Sequence, residues 1–157
     1  MTPLFKKLNY KGQASITCLH APDGFIPELE AMRAFATVHN SVDGEDALPF
    51  VMAFVQTEKE VAQSIQAIGP QLQPDSVIWF CYPKKSSKKY SATITRDLGW
   101  SAMADYDLEP VRQVAIDEDW SALRFKPVDQ IKTMTRRKSM TLTEKGKNKT
   151  KPSDGSG

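Results

Sequence analysis

Residue types that carry chemistry are scarce in this 157-residue chain. There are two histidines, His20 and His39, and two cysteines, Cys18 and Cys81. No spacing of Cys, His and Asp matches a zinc site, and no Ser-His-Asp or Cys-His set can be ordered from the sequence. Each cysteine lies inside an apolar, strand-like run. A secreted scaffold carries more cysteines, at loop spacings, so these two read as buried, reduced thiols. Long hydrophobic runs are also missing. The longest, 48–55 and 77–82, fall far short of a membrane span. Lys6 and Lys7 near the start are not followed by the apolar stretch of a signal peptide. The expectation is a cytoplasmic protein with no membrane partner. Glycine numbers only eight, and none of it is spaced as a phosphate-binding loop.

What is present is ordinary for a folded protein: 40% hydrophobic and 25% charged residues. The length fits one domain plus a tail, with a polar lead-in at 1–14 whose Leu4, Phe5 and Leu8 are expected at the core edge, an α/β domain at 15–131 and a basic, disordered tail at 132–157. A domain of ~130 residues buries roughly two-thirds of its unfolded surface, enough to fold alone. The formal net charge of +2 hides an asymmetry. Residues 1–131 sum to −4 and residues 132–157 to +6. The tail composition cannot bury enough surface to order itself.

The organising stretch runs from Val77 to Trp100. Its first six residues are apolar, Pro83 stops them, and a basic loop and a helix start follow. That is how a buried parallel strand, its carboxyl-end loop and the next helix read. Upstream, 15–20 is a short strand rich in β-branched residues. Turn chemistry follows at 21–24, and Pro27 sits where a first helical residue is expected, opening a helix over 28–36. A second strand spans 37–42. The third, 49–56, is apolar nearly throughout, as a strand covered on both faces must be. Thr57 and Glu60 form a capping box for a helix that Gly69 and Pro70 end. Thr95 is the best N-cap for a helix over 96–106, with Leu98, Met103 and Tyr106 toward the core and Trp100 off that line. Two strands, 111–116 and 120–126, are joined so closely that they must be an antiparallel hairpin. The alternation of strands and helices predicts an α/β fold with a mostly parallel six-stranded sheet, helices on both faces and a C-terminal antiparallel hairpin.

Four motifs carry a resemblance: HAPDGF at 20–25, YPK at 82–84, TRDLGW at 95–100 and VRQVAIDEDWSALRFKP at 111–127. Over roughly 14–127 the chain resembles a small bacterial family known only as a domain of unknown function. More remotely, the element order is similar to a shortened Rossmann-like methyltransferase. That likeness implies the strand order 2-1-3-4-6-5. The chain departs from that pattern in one respect. Such folds place several glycines after the first strand so that backbone can approach the cofactor. Here the loop has a single glycine, Gly24, and a proline, Pro22.

In such a sheet, ligands bind outside the carboxyl ends of the strands, near the switch in strand order. The candidate cofactor-binding residues are therefore His20, Asp23 and Gly24 after strand one, Asp43 after strand two as a ribose ligand, and Thr57 after strand three. Lys84, Lys85, Lys88 and Lys89, with Arg96 at the next helix start, are the candidate anion-binding set. Arg96 is expected to pair with Asp117 or Asp119 of the hairpin turn. The three tryptophans, Trp79, Trp100 and Trp120, read as core. No motif supports a particular cofactor, metal or catalytic residue, and the balance leans away from an enzyme. The leading expectation is a non-catalytic or regulatory module that binds a protein partner or small anion through the basic loop or tail. One alternative is a nucleotide- or S-adenosylmethionine-binding, methyltransferase-like protein. Another is a non-specific nucleic-acid binder acting through the tail.

Overall fold

The computed structural model describes residues 1–131; the expected tail lies outside the described residues. Six strands form one sheet in the order β2-β1-β3-β4-β6-β5. They are β1 (Ser15–Leu19), β2 (Thr37–His39), β3 (Phe50–Phe54), β4 (Val77–Pro83), β5 (Leu108–Ala115) and β6 (Trp120–Pro127). The pairs among β2, β1, β3 and β4 are parallel, while β6 runs antiparallel to both β4 and β5. Both the order and the directions are those expected from the sequence. The physical reason is the length of the connections: the long ones return the chain parallel, and the short turn after Ala115 can only reverse it.

Every residue of β3 and β4 is buried, because helices cover both faces. On one face Val51, Ala53, Ile78 and Phe80 meet Val61, Ile65 and Ile68 of α3 (Glu58–Ile68). On the other, Phe50, Met52, Trp79 and Cys81 meet Leu29 and Met32 of α2 (Ile26–Met32). The capping box of α3 forms as expected: the Glu60 amide donates to Thr57 Oγ1 at 3.1 Å, and Glu60 Oε1 accepts from the Gln56 amide at 2.6 Å. The lead-in is built into this second face. It holds a helix, α1 (Pro3–Lys7), capped by the Thr2 hydroxyl. Phe5 and Leu8 are fully buried, and the Trp79 indole donates to the Leu8 carbonyl at 2.8 Å.

Two helices differ from expectation. α2 begins two residues early, through a 3-10 turn at Asp23–Phe25, and stops at Met32. The Met32 carbonyl then accepts from both Phe35 and Ala36, which closes the helix and releases the chain into β2. The larger correction lies at 96–106, where only Ser101–Ala104 is helical (α4). Thr95 and Leu98 exchange backbone hydrogen bonds in a tight turn, and Gly99 takes a φ of +102°. The reversal sends Trp100 into the core, 1% exposed, and leaves Leu98 64% exposed. Trp100 packs against Phe80, Tyr82 and Phe125 with ring centroids 5.4–6.0 Å away. Its indole donates to the Thr95 carbonyl at 2.7 Å. Burying an indole with its N–H satisfied outweighs two turns of helix hydrogen bonds.

Candidate functional site

The chain leaves β1 through α2 toward β2 and leaves β3 through α3 toward β4, with the two helices on opposite faces of the sheet. Above β1 and β3 the two connections diverge, which leaves room for a crevice. A cleft of about 380 Å³ lies there, within the usual range of small-molecule sites. His20, Ala21, Pro22 and Asp23 line it from the first loop, Phe54 and Gln56 from the end of β3, and Glu60, Gln63 and Ser64 from α3. Tyr90 and Trp120 complete the wall. Trp120 packs on Phe54 at 5.0 Å and on Tyr90 at 4.9 Å, so the three rings support one another.

His20 has a φ of +59°. A non-glycine residue there costs about 1–3 kcal/mol and is held only where the surroundings dictate it. Phe25 does not fill the cleft; it lies beneath the loop, buried against Phe54 at 4.9 Å. Asp23 and Glu60 bring carboxylates, and among the described residues no lysine or arginine lines the cleft.

The segment 84–97 crosses the same edge and is tied down along its length. Gln56 holds its middle, donating from its carboxamide to the Ser91 carbonyl at 3.0 Å and accepting from the Thr93 amide at 2.9 Å. Ser87 holds its start: the hydroxyl donates to Asp119 Oδ1 at 2.7 Å and accepts from the Tyr90 amide at 3.1 Å. The Lys84 amide donates to the Asp119 carbonyl at 2.8 Å. Asp117 meanwhile caps the hairpin turn, accepting from the amides of Asp119 and Trp120.

This arrangement separates the residues that the sequence suggests as one set. Lys84, Lys85 and Arg96 line a second cavity, of about 410 Å³, with Tyr82, Thr95 and Asp97. Lys88 and Lys89 face Glu118 and Asp119 around the hairpin turn instead. Of the expected cofactor residues, His20 and Asp23 meet in the cleft. Gly24 lies in the 3-10 turn with open space where a Cβ would be. Thr57 is spent as the cap of α3. Asp43 is exposed on the loop after β2, its amide donating to Ser41 Oγ, and it does not line the cleft. At the end of β2, His39 Nε2 instead lies 3.2 Å from a carboxylate oxygen of Glu45.

Sequence reasoning passed over Gln63 and Ser64. One signal was available: Ser64 interrupts the apolar stripe Val61, Ile65, Ile68, and it is 4% exposed. A hydroxyl on the inward stripe of a helix needs a polar neighbour. Trp120, read as core, is both core and cleft wall.

Cys18 and Cys81 are free and buried, as expected. Burial pushes both thiols up, and for Cys81 the neighbouring Cys18 and Asp117 add to the effect, so neither is a nucleophile. Burial raises the Tyr82 hydroxyl as well; nearby Arg96 opposes that shift and Asp97 adds to it. Among the described residues no group of His, Cys, Asp and Glu is arranged to hold a metal ion. Among them, too, no helix is long and apolar enough to cross a membrane.

No protein-family model matches the sequence, and no curated protein is significantly similar to it. Solved structures are similar in fold. A SAM-dependent methyltransferase from Aquifex aeolicus has 10% identity and a TM-score of 0.50, over 78% of this chain and 86% of that one. A ribosomal protein L11 methylase from Lactobacillus delbrueckii subsp. bulgaricus has 10% identity and a TM-score of 0.46, over 72% and 69%. A tRNA methyltransferase from B. subtilis has 6% identity and a TM-score of 0.46, over 87% and 72%. The fold is the Rossmann-like fold of the methyltransferases, with the strand order and terminal hairpin of that class. This corrects the leading functional expectation. The likeness in fold to the Aquifex aeolicus methyltransferase stands against a non-catalytic module binding through its basic loop or tail.

Proposed function

We propose that the protein is an S-adenosylmethionine-binding, methyltransferase-like protein of the cytoplasm, and that the β1–β3 cleft receives the ligand. The observation that carries this reading is the cleft's charge. Its walls hold Asp23, Glu60 and three aromatic rings and, among the described residues, no lysine or arginine. A nucleoside polyphosphate would meet two carboxylates and no lysine or arginine in the described lining. S-adenosylmethionine brings a sulfonium and an ammonium group, which suit carboxylates and aromatic rings, although the Lys89 ammonium already lies over the Tyr90 ring at 5.5 Å. The fit is of donor set and charge. The glycine-rich cradle usual in this fold is reduced to Gly24, and the acid after β2 does not reach the cleft. Methyl transfer also needs a group to receive the proton that the acceptor gives up. His20 and Asp23, both exposed at the rim, are the residues able to do so. Two buried, reduced thiols suit the cytoplasm. We further propose kinship with the bacterial family whose HAPDGF and TRDLGW motifs supply the cleft's first loop and the Trp100 anchor.

Calorimetry on the full chain tests the reading. S-adenosylmethionine is expected to bind, its neutral demethylated product more weakly, and ATP not at all. At a hundred times its dissociation constant the ligand adds about 2.7 kcal/mol to stability, a clear rise in melting temperature. Asp23→Asn and Gln63→Trp, both at exposed positions of the wall, should weaken binding without unfolding the protein. Equal binding of ATP and S-adenosylmethionine, or binding of neither, sinks the proposal.

A further inference from the structure

The second cavity has a feature that its surface charge does not explain. Tyr82 lies on β4, 5% exposed, and lines the cavity. Its ring is fixed edge-on against Trp100 at 5.7 Å. No described residue hydrogen-bonds its hydroxyl. The hydroxyl is not one of the buried polar atoms left without a partner; it opens to the cavity and is free to donate there. Among the described residues the lining also holds Lys84, Lys85 and Arg96 against a single acid, Asp97. The Thr95 hydroxyl accepts from the Asp97 amide at 3.3 Å and keeps its own hydrogen to donate.

We infer that this cavity is a binding site for a small phosphate, either inorganic phosphate or the terminal phosphate of a small phosphomonoester, with the Tyr82 hydroxyl as the donor at its floor and Lys84, Lys85 and Arg96 as its cationic rim. A phosphate is the chemistry that uses all of these at once: it is compact, doubly charged and rich in acceptors. A nucleic acid suits the surface less well. It would need a continuous basic track, and the structure breaks the lysine run in two, turning Lys88 and Lys89 toward Glu118 and Asp119. The site is separate from the β1–β3 cleft and shares no lining residue with it. The inference stands whether or not the cleft binds S-adenosylmethionine.

The test is calorimetric titration of the full chain, at low ionic strength, with sodium phosphate, phenyl phosphate and a short single-stranded oligonucleotide. Saturable one-to-one binding of phosphate and phenyl phosphate is expected. Tyr82→Phe removes the hydroxyl and keeps the ring on Trp100; it should weaken binding about fivefold, the worth of one hydrogen bond. The double change Lys84→Gln and Lys85→Gln should weaken it by more than about tenfold. The double change Lys88→Gln and Lys89→Gln should leave it within about twofold, since those lysines lie outside the site. Three results would overturn the inference: no saturable phosphate binding, no effect of Tyr82→Phe, or an equal loss from both lysine pairs. Oligonucleotide binding that excludes phosphate and depends on Lys88 and Lys89 would overturn it too, in favour of a nucleic-acid surface.

Discussion

Two hollows open at the carboxyl edge of one sheet, and they have opposite charge. The β1–β3 cleft is walled by carboxylates and aromatic rings, and the cavity beside β4 by lysines and an arginine. The segment 84–97 contributes to both, giving Tyr90 to the first and Lys84, Lys85 and Arg96 to the second. They also arise differently. The cleft follows from topology, because the connections after β1 and β3 must part there. The basic cavity depends on one local event, the reversal at Gly99 that drives Trp100 under Tyr82. A hollow set by topology should tolerate point changes that destroy a hollow set by a single anchor.

Trp100→Ala should break this contrast most. Truncating a buried tryptophan costs about 3–5 kcal/mol, and the cavity next to Tyr82 should lose its shape while the cleft's first loop keeps its fold. Urea unfolding gives the stability, and exchange of the amides at 20–25 against those at 94–98 reports the two sites separately. Gly99→Ala comes next, at about 1–3 kcal/mol. The position has a φ of +102°, and an added Cβ would run into the Ile94 side chain. Its loss should again fall on the basic cavity.

A pH-gated effect is smaller. The hydroxyl of Tyr82 sits above its ordinary value of 10.0 in the folded state, chiefly through burial. Below pH 10 both states are protonated, and the contribution is fully present. As pH rises past 10 the unfolded chain ionises first, so stability falls until the folded group ionises too. Tyr82→Phe should flatten that alkaline limb in melting experiments, and cleft variants should not. The smallest expected effect is that of His20→Gly. Relief of the left-handed strain and the extra freedom of an unfolded glycine oppose each other, leaving at most about 1 kcal/mol of stabilisation. If the strain serves the cleft, the variant binds S-adenosylmethionine more weakly while melting no lower. A lower melting temperature would show that the His20 side chain holds the loop.

The parts of this molecule that were legible beforehand are those with local causes. The apolar runs at β3 and β4, the capping pair Thr57 and Glu60, and the short turn after Ala115 each act within a few residues, and each lies where it was expected. The placement of His20 and Asp23 on the ligand edge follows from the same periodicity, since a loop after a parallel strand has only one end of the sheet to occupy. The likeness to methyltransferases then supplied a strand order that periodicity alone does not carry.

Tertiary contacts decided the rest. Residues 95–100 carry good local signals for a helix, yet Trp100 turns inward because Phe80 and Phe125, distant in the chain, leave a space that only a large ring fills. Phe5 and Leu8, expected only at the core edge, are fully buried, and the Leu8 carbonyl takes the Trp79 indole N–H. The lysines that stand together in sequence are parted by Ser87, whose bond to Asp119 depends on where the hairpin packs. Strand, cap and turn are choices of the backbone among a few local states. Which side chain is buried, and which charges share a hollow, are differences between whole packed arrangements, and no short stretch of this chain contains them.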